Sequence, residues 1–291
     1  MKTAYVALCG LPNSGKSTLI NRLVGERVAI VSPKPQTTRK KMIYLCTDKE
    51  RQLVLFDTPG FFPAEKNQLD KFLISQIDAA ITGCELIIFI TAADDDSTIP
   101  PELTARWKKK PVVCVLNKID LLGGDSLARR QQELESNGLF RKVVAMSALR
   151  DLSLDHLFPA LDEFLSETEE YLYDPELISL ERERDIVEEF IREELYEKLS
   201  DELPYASGVI VEEMKDRENG MVYVKAIIYC EKSGQKAIII GKNGEMIRKI
   251  GGSARVKIEK FTNRKIFLDL QVKNYDNWRK KEFLLKQFGY K

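Results

Sequence analysis

One short segment near the N-terminus, GLPNSGKS at residues 10–17, constrains this chain more than any other feature. It follows an apolar run, residues 4–9, and precedes an amphipathic helical pattern, residues 18–24. Glycines at this spacing let a backbone loop wrap around a phosphate, and the N–H groups that begin a helix point at the anion. The segment therefore predicts a phosphate-binding loop, and a chance glycine-rich turn is a poor alternative.

The side chains of this loop carry separate tasks. Lys16 would reach the β- and γ-phosphates of a nucleotide, and Ser17 would offer a hydroxyl to Mg²⁺. The predicted nucleotide contacts of the segment are Gly10, Asn13, Ser14, Gly15, Lys16, Ser17 and Thr18.

Short apolar runs alternate with helical patterns through the first part of the chain. The runs predicted as strands are 4–9, 53–56, 86–90, 112–116 and 143–146, with 42–47 as an antiparallel edge strand. Helical patterns lie between them, and the last one, 154–165, is expected to end the domain. This order predicts an α/β domain at 1–166 with a mostly parallel sheet and helices on both faces.

The segment Asn117-Lys118-Ile119-Asp120 comes directly after one predicted strand. The Asp120 carboxylate can accept both N1–H and N2–H of guanine, a pair of donors that adenine lacks. Asn117 can reach N7, and the Lys118 stem can cover the face of the ring. Ser147 and Ala148 follow the next strand, where a backbone N–H could bond guanine O6, although Ser147 is equally suited to a helix N-cap or a turn.

Two further segments are predicted to sense the γ-phosphate. Residues 31–39 contain two prolines and read as a loop, in which a Thr hydroxyl could bind Mg²⁺ and order the loop. Thr38 is the first choice, Thr37 the alternative, and plain turn residues remain an open reading. Asp57 ends a strand and would hold Mg²⁺ through water, while the Gly60 N–H would meet the γ-phosphate. Arg39 could be an arginine finger, but a surface arginine is the simpler interpretation.

The residue after Gly60 is Phe61, where many small GTPases have a Gln that orients the attacking water. A phenyl ring cannot orient water. The chain therefore either does not hydrolyse GTP or positions the water by other groups.

Composition excludes several classes of protein. The chain of 291 residues has one histidine and five cysteines without metal-ligand spacing, which argues against His-based metal sites and Ser/His triads. Scattered cysteines favour a reducing compartment, and no apolar stretch approaches membrane-spanning length, so we expect a soluble cytoplasmic protein. Net charge is zero, but residues 231–291 carry 16 Lys and Arg against 6 Asp and Glu, a net of +10 that suits either a solvated surface or a polyanion partner.

A second module follows a polar, acidic stretch that we interpret as a linker at 167–177. The module, 178–291, begins with a helical face of Ile186, Phe190, Ile191, Leu195 and Leu199, with acids on the opposite face. Strands at 208–214 and 222–229, a helix to about 261 and a strand at 266–272 come next.

The sequence IIGKNGEMI, residues 239–247, places a GxxG turn between two helical patterns. Glycines there let a nucleic-acid backbone approach without a Cβ in the way, although a simple turn is the default interpretation of GxxG alone. The order of elements resembles the type II KH domain, an α+β fold that binds single-stranded RNA. The candidate RNA contacts are Ile240, Gly241, Lys242, Asn243, Gly244, Met246, Lys249, Arg255 and Lys257. Trp278 either stacks on a base or anchors the C-terminal tail, and we favour the anchor.

These motifs in this order, with PNSGKS and PQTTR, resemble the Era family of bacterial GTPases over essentially the whole chain. The resemblance implies a GTP/GDP switch with Mg²⁺ at Ser17, Thr38 and Asp57. In the wider group an apolar residue replaces the Gln, and a K⁺ ion held partly by the phosphate-loop Asn, here Asn13, assists hydrolysis. Lys16, Thr38, Gly60 and Asn13 would then be the catalytic set.

The resemblance also implies partners. The KH domain of the family binds the 3′ end of small-subunit (16S) rRNA, and the proteins assist 30S subunit assembly as monomers in the cytoplasm, with a fraction held loosely at the inner membrane. Two alternatives to this interpretation were weighed from the residues. One is an RNA-binding scaffold that holds GTP without hydrolysing it. The other is a tRNA-modifying GTPase, and relatives of that kind carry a catalytic Cys near the C-terminus. The last cysteine here is Cys230, in a strand pattern, which argues against that class.

Overall fold

A computed structural model describes residues 1–32, 34, 37–62, 67–218, 220–288 and 290. The chain divides into two compact units. The first contains Met1–Ala29, Thr38–Ala64 and Leu73–Leu180, and the second contains Ile30–Thr37, Glu65–Phe72 and Glu181–Lys291. Pro33, Pro35 and Gln36 of the predicted loop lie outside the described residues.

The first unit is built on a sheet that is mostly parallel. Its strands are β1 (Lys2–Gly10), β2 (Met42–Thr47), β3 (Arg51–Asp57), β4 (Leu86–Ala92), β5 (Val112–Asn117), β6 (Lys142–Ala145) and β7 (Ser166–Glu167). The helices are α1 (Lys16–Val24), α2 (Gln68–Gly83), α3 (Pro101–Thr104), α4 (Gly124–Ser136) and α5 (Leu157–Leu161).

The strands lie in the order β2-β3-β1-β4-β5-β6, with β7 paired to β1. Among the described strands of this sheet, only β2 and β7 run antiparallel to their neighbours, which confirms the predicted edge strand at residues 42–47. β4 and β5 are buried throughout, as expected for parallel strands covered on both faces. The register pairs Leu8 with Asp57 and Ala92 with Asn117, so the carboxyl ends of the central strands meet at one edge of the sheet. In folds of this type ligands bind at that edge.

The second unit has the predicted order of helices and strands. Its elements are α6 (Glu183–Lys198), α7 (Leu203–Ala206), β8 (Gly208–Asp216), β9 (Val222–Cys230), α8 (Ser233–Ile240), α9 (Glu245–Thr262), β10 (Ile266–Asn274) and α10 (Glu282–Gln287). The strands lie in the order β10-β9-β8, with β10 parallel and β8 antiparallel to β9. Trp278 is fully buried and donates its Nε1–H to the Ala206 carbonyl at 2.8 Å, so it anchors the C-terminal tail.

The stretch predicted as a linker is part of the first unit. Ser166 pairs with Thr3 in the sheet, and the Tyr173 N–H donates to Gln52 Oε1 at 2.9 Å. Gln52 Nε2 in turn donates to the Tyr173 carbonyl at 2.9 Å, and the units divide after Leu180. The acidic composition of this stretch indicated an exposed linker. Its backbone groups instead form hydrogen bonds with the neighbouring strands, which composition does not predict.

Helix α6 also differs from its predicted pattern. The apolar face is buried as expected, but the acids Glu188, Glu193 and Glu194 are buried too. Each has a specific partner on another element; Glu188 Oε1, for example, accepts the Val211 N–H at 2.9 Å. Hydrogen bonds and ion pairs within the protein, rather than water, therefore stabilise these carboxylates. Among the described residues no helix is both long and apolar enough to cross a membrane.

Candidate functional site

The loop between β1 and α1 has the backbone of a phosphate cradle. Gly15 has φ 96°, and a Cβ at this position would lie 2.1 Å from Asn117 Nδ2. A side chain there is excluded by strain and by space together. Asn13 has φ 62°, a left-handed conformation that asparagine tolerates, and its side chain is exposed at the tip of the loop. Ser17 and Thr18 follow at the start of α1, both partly buried.

Lys16 is held inside this loop. Its ammonium donates to the carbonyl of Leu11 at 2.9 Å and lies 3.4 Å from that of Gly10. Burial lowers the pKa of Lys16 to about 8, against the opposing effect of the nearby Asp57 carboxylate. A buried cation with few charged partners is stabilised by a bound anion, and the oxygens of a phosphate group would provide that negative charge.

Asn117, at the end of β5, ties two loops together. Its Nδ2 donates to the Ser14 carbonyl at 2.9 Å, and its Oδ1 accepts the Ala148 N–H at 2.9 Å. Arg22 on α1 adds a hydrogen bond to the Ala148 carbonyl at 3.0 Å. The phosphate loop and the loop after β6 are therefore held in a fixed relation by one buried amide.

This arrangement corrects the prediction for Ser147 and Ala148. The Ser147 N–H donates to the Leu152 carbonyl at 3.0 Å, and the Ala148 N–H is taken by Asn117. Both amides already have acceptors within the protein, so neither is free to meet guanine O6 in this arrangement.

Thr38 and Asp57 form a pair of hard oxygen groups. Thr38 Oγ1 donates to Asp57 Oδ2 at 3.2 Å, and both residues are buried. Hydroxyl and carboxylate oxygens are the ligands that Mg²⁺ prefers, so the two residues fit the predicted metal site. Thr37 is only partly buried. Arg39, expected on the surface, is 3 % exposed.

Gly60 lies against the phosphate loop. A Cβ at Gly60 would be 3.1 Å from Pro12 Cα, which is tighter than an ordinary contact. Phe61 turns the other way: its N–H donates to the Gly10 carbonyl at 3.0 Å, and its side chain is 2 % exposed within the core of the first unit. The ring is a packing residue, and it orients no water.

The remaining guanine candidates lie just after β5. Lys118 has φ 63°, and its ammonium is 3.8 Å from Asp94 Oδ1. The Asp120 side chain is 17 % exposed, with Arg150 Nε at 4.0 Å from its Oδ2. Asp120 and Asn117 thus lie on the same short segment, with the acid accessible for a base.

The GxxG turn in the second unit joins α8 to α9. Gly241 has φ 74°, and a Cβ there would approach Met246 Cβ to 2.7 Å, so only glycine fits. Lys242 and Asn243 are exposed, and Gly244 precedes α9 with φ 74°. Arg248, which the sequence did not single out, braces the turn by donating to the Gly244 carbonyl at 3.1 Å and to the Asn243 carbonyl.

Other RNA candidates fall into two groups. Ile240 and Met246 are partly exposed beside the turn, and Lys249 and Arg255 are exposed on α9. Lys257 lies elsewhere: its ammonium is 2.7 Å from Glu193 Oε2, and its side chain is 17 % exposed. The prediction that Lys257 contacts phosphate is therefore wrong for this structure, because carboxylates of α6 already neutralise it.

Two glycines in the middle of α9 carry a signal that sequence reasoning missed. A Cβ at Gly251 would lie 3.2 Å from Leu270 Cδ1 on β10, whereas a Cβ at Gly252 would meet nothing within 4 Å. Glycine in a helix interior costs stability, so a position with free space needs another reason for it. Close approach of a ligand to the helix is such a reason.

A phosphate loop, a guanine-selective segment and a γ-phosphate segment on one parallel sheet define a P-loop GTP hydrolase, here joined to a KH domain. The profile of the family described as "50S ribosome-binding GTPase" matches residues 5–118, and that of the KH domain matches residues 202–279. The "GTPase Era" of Halothermothrix orenii is 39% identical over 100% of this chain and 99% of its own length. That of Clostridioides difficile is 39% identical over 99% and 98%. The chain belongs to the Era family of GTPases.

Solved structures agree over the full length. A variant of Aquifex aeolicus Era bound to GDP·AlF4⁻ is 30% identical, with a TM-score of 0.93 over 100% of this chain and 99% of that one. Era in complex with MgGDPNP and nucleotides 1506–1542 of 16S ribosomal RNA is 31% identical, with a TM-score of 0.94 over the same shares. The predicted fold class and the predicted GTPase activity are confirmed.

Proposed function

We propose that this GTPase binds the 3′ end of small-subunit rRNA through its KH domain and assists assembly of the 30S subunit as a monomer in the cytoplasm. The observation that carries the proposal is the GxxG turn, with its bracing Arg248, in a chain whose relative of 31% identity was solved with 16S rRNA nucleotides 1506–1542. The charge of the module, 16 Lys and Arg against 6 Asp and Glu in residues 231–291, suits a phosphate backbone. Loose association with the inner membrane is part of the same expectation.

Mg²⁺ is the metal that we assign to Ser17, Thr38 and Asp57. The Thr38 Oγ1–Asp57 Oδ2 hydrogen bond of 3.2 Å brings hydroxyl and carboxylate oxygens to one point, as that ion requires. When bound, the ion would neutralise charge that develops on the phosphates. Lys16 would supply a second positive charge there, and the Gly60 N–H would donate to the γ-phosphate.

Phe61 leaves the attacking water to backbone groups, and we assign that task to Gly60 and the residues next to Thr38. Asn13, exposed at the tip of the phosphate loop, offers an amide oxygen for K⁺. A cation there would stabilise the transition state as an arginine finger does in other GTPases. Equal turnover in K⁺ and Na⁺ at matched ionic strength would contradict the assignment.

The test of the function is GTP turnover and RNA binding measured together, in K⁺ and Mg²⁺. The RNA probe matches the 3′ tail of 16S rRNA, and a scrambled strand of equal length is the control. We expect the matched strand to bind more tightly and to change the turnover rate. The Gly244→Asp variant places a carboxylate in the GxxG turn, where the RNA backbone is expected to lie. It should lose RNA binding and keep its intrinsic GTP turnover.

Two outcomes count against the proposal. If matched and scrambled strands bind alike, the rRNA assignment fails while the GTPase activity stands. Base selectivity is checked separately with Asp120→Asn, which exchanges an acceptor for an amide donor and should shift the preference from GTP toward xanthosine triphosphate. Unchanged GTP preference in that variant would remove Asp120 from the base site.

A further inference from the structure

The turn that follows β6, residues 147–152, lies beside the segment that we expect to bind guanine, and we call it the base-side turn. Its first and last residues exchange two backbone hydrogen bonds of 3.0 and 3.1 Å, which close the turn. The Ile119 N–H donates to the carbonyl of Met146, directly before the turn, at 3.4 Å. Within the turn, Arg150 Nε is 4.0 Å from Asp120 Oδ2. A displacement of the base-side turn would therefore change the surroundings of the Asp120 carboxylate.

The backbone of the base-side turn needs support from other elements. Asp151 has φ 60°, and Ser153, directly after the turn, has φ 58°. These left-handed conformations cost free energy for residues that carry a Cβ. Packing supports the turn unevenly, since Ala148 is 1 % exposed whereas Leu149 is 66 % exposed. Polar contacts from outside the turn are therefore required to fix the position of its exposed half.

Arg22 supplies such contacts with one guanidinium group. Its Nε donates to the carbonyl of Ala148 at 3.0 Å, and its Nη2 donates to that of Leu149 at 3.2 Å. Its Nη1 is 3.9 Å from Asp151 Oδ2. A guanidinium is planar and presents its N–H donors in a rigid fork, so it can bond two successive carbonyls at once. Because Asn117 accepts the N–H of Ala148, this residue is bonded through both its N–H and its carbonyl.

Arg22 connects the base-side turn to the phosphate loop through one helix. It lies on α1, which begins at Lys16, and six residues of helix separate the two by about 9 Å along the axis. The first turn of α1 is part of the phosphate site, and a later turn of the same helix bonds the base-side turn. The regions expected to hold the phosphates and the base are therefore kept at a fixed separation before a nucleotide binds. Such preorganisation increases affinity because less ordering is needed on binding.

We propose that Arg22 is a positioning residue for guanine recognition, which holds the base-side turn beside Asp120 and thereby sets how long GDP and GTP stay bound. The inference rests on the proposed assignment of Asp120 to the base. Arg22 acts through the two carbonyls that it bonds and not through a contact with the nucleotide. Because GDP and GTP share the same base, the loss of these bonds affects both nucleotides alike. The reacting phosphates lie at the other end of α1, so the hydrolysis step is not affected.

The first measurement compares the Arg22→Met variant with the unchanged chain. Methionine keeps an unbranched side chain suited to a helix and removes the guanidinium fork. The dissociation rates of GDP and of a non-hydrolysable GTP analogue are measured by displacement of a fluorescent nucleotide. We expect both rates to rise about tenfold, because a weakened site changes mainly the dissociation rate. The rate of hydrolysis in a single turnover, at saturating enzyme, should stay within about twofold of that of the unchanged chain.

The second measurement shows whether Arg22 acts on the base. Inosine diphosphate keeps the phosphates of GDP but lacks the 2-amino group, one of the two donors that Asp120 would accept. The Kd for inosine diphosphate divided by the Kd for GDP therefore measures recognition of the base. We expect Arg22→Met to lower this ratio about threefold or more. Arg22→Lys keeps the charge but can bond one carbonyl at a time, so its ratio and dissociation rates should lie between those of the other two chains.

Arg129→Met is the matched control, since Arg129 is exposed on α4, outside the contacts of the base-side turn, and this variant should change neither measurement. The Arg22 side chain is 43 % exposed, so its variants should fold, which denaturant unfolding checks.

The outcomes separate this inference from the assignment on which it rests. If Arg22→Met weakens GDP and inosine diphosphate equally, the residue does not act on the base and the inference is overturned. Unchanged dissociation rates, or full recovery by Arg22→Lys, overturn it as well. If the unchanged chain binds GDP and inosine diphosphate alike, the assignment of Asp120 fails first and the inference fails with it.

Discussion

The Phe61 N–H donates to the Gly10 carbonyl at 3.0 Å, and the Phe61 ring is buried in the core of the first unit. The residue after Gly60 therefore fastens the γ-phosphate segment to the phosphate loop by its backbone, while its side chain faces away from the reaction. A glutamine at this position would inherit the same backbone and point into the same core.

Phe61→Gln should consequently fail to accelerate hydrolysis. Burial of an amide in an apolar pocket should lower the free energy of unfolding of the first unit by about 3 kcal/mol. Denaturant unfolding and steady-state turnover measure the two effects. Phe61→Leu, which keeps an apolar side chain, should lose about 1 kcal/mol and keep turnover within about threefold. A faster Phe61→Gln enzyme would show that the side chain can reach the water.

Nucleotide binding should take up a proton near pH 8. In the nucleotide-free protein burial lowers the pKa of Lys16 to about 8, and phosphate oxygens would raise it again. Affinity should fall about tenfold between about pH 7 and pH 9, because the neutral amine must first be protonated. Calorimetry in two buffers of different ionisation enthalpy counts the protons. Lys16→Arg stays charged, so its affinity should not vary over this range.

The same pKa has a consequence for folding. The unfolded chain, with the usual Lys16 pKa of 10.5, binds more protons than the folded chain between about pH 8 and 10.5. The contribution of Lys16 to the stability of the nucleotide-free protein therefore rises with pH in that window. The unfolding free energy of the unchanged chain minus that of the Lys16→Met chain should therefore increase as the pH rises through this window. A decrease would contradict the assignment.

Gly15→Ala should abolish nucleotide binding. The new methyl would lie 2.1 Å from Asn117 Nδ2 at a φ of 96°, so the Asn117–Ser14 hydrogen bond cannot persist. We expect a loss of affinity of roughly a hundredfold or more for both GTP and GDP. Gly25→Ala is the matched control, since Gly25 has φ 80° but open space around it, and it should lose only about 1 kcal/mol of stability. Equal affinity of the Gly15→Ala chain would contradict the packing argument.

Gly252→Ala separates packing from RNA contact. A methyl at this position meets nothing within 4 Å, and alanine is favoured in a helix interior, so the free energy of unfolding should rise by about 1 kcal/mol. If RNA lies close to α9, its affinity should fall about tenfold at the same time. If the Gly252→Ala chain gains stability without losing RNA affinity, the RNA does not lie close to α9. Gly124→Ala, in open space on α4, is the control for RNA binding.

Motifs with local causes were predictable. The phosphate loop needs glycines, a lysine and a helix start within eight residues, and the GxxG turn needs its glycines within four, so the sequence alone located both. The parallel character of the first sheet also followed, because buried parallel strands read as continuous apolar runs. The boundary after residue 166 was misplaced, since the role of the segment that follows depends on its pairing with β1 and Gln52.

The sequence by itself determined that this chain has a GTP site and a KH turn, because each motif is dictated by the backbone geometry of a few adjacent residues. Tertiary structure decided the rest. It put Phe61 in the core, turned Lys257 from a phosphate candidate into the partner of buried Glu193, and placed Lys34 on the last carbonyls of α6. The physical reason is that burial and charge pairing arise between residues distant in the chain, and the same lysine serves RNA or a carboxylate according to what packs beside it.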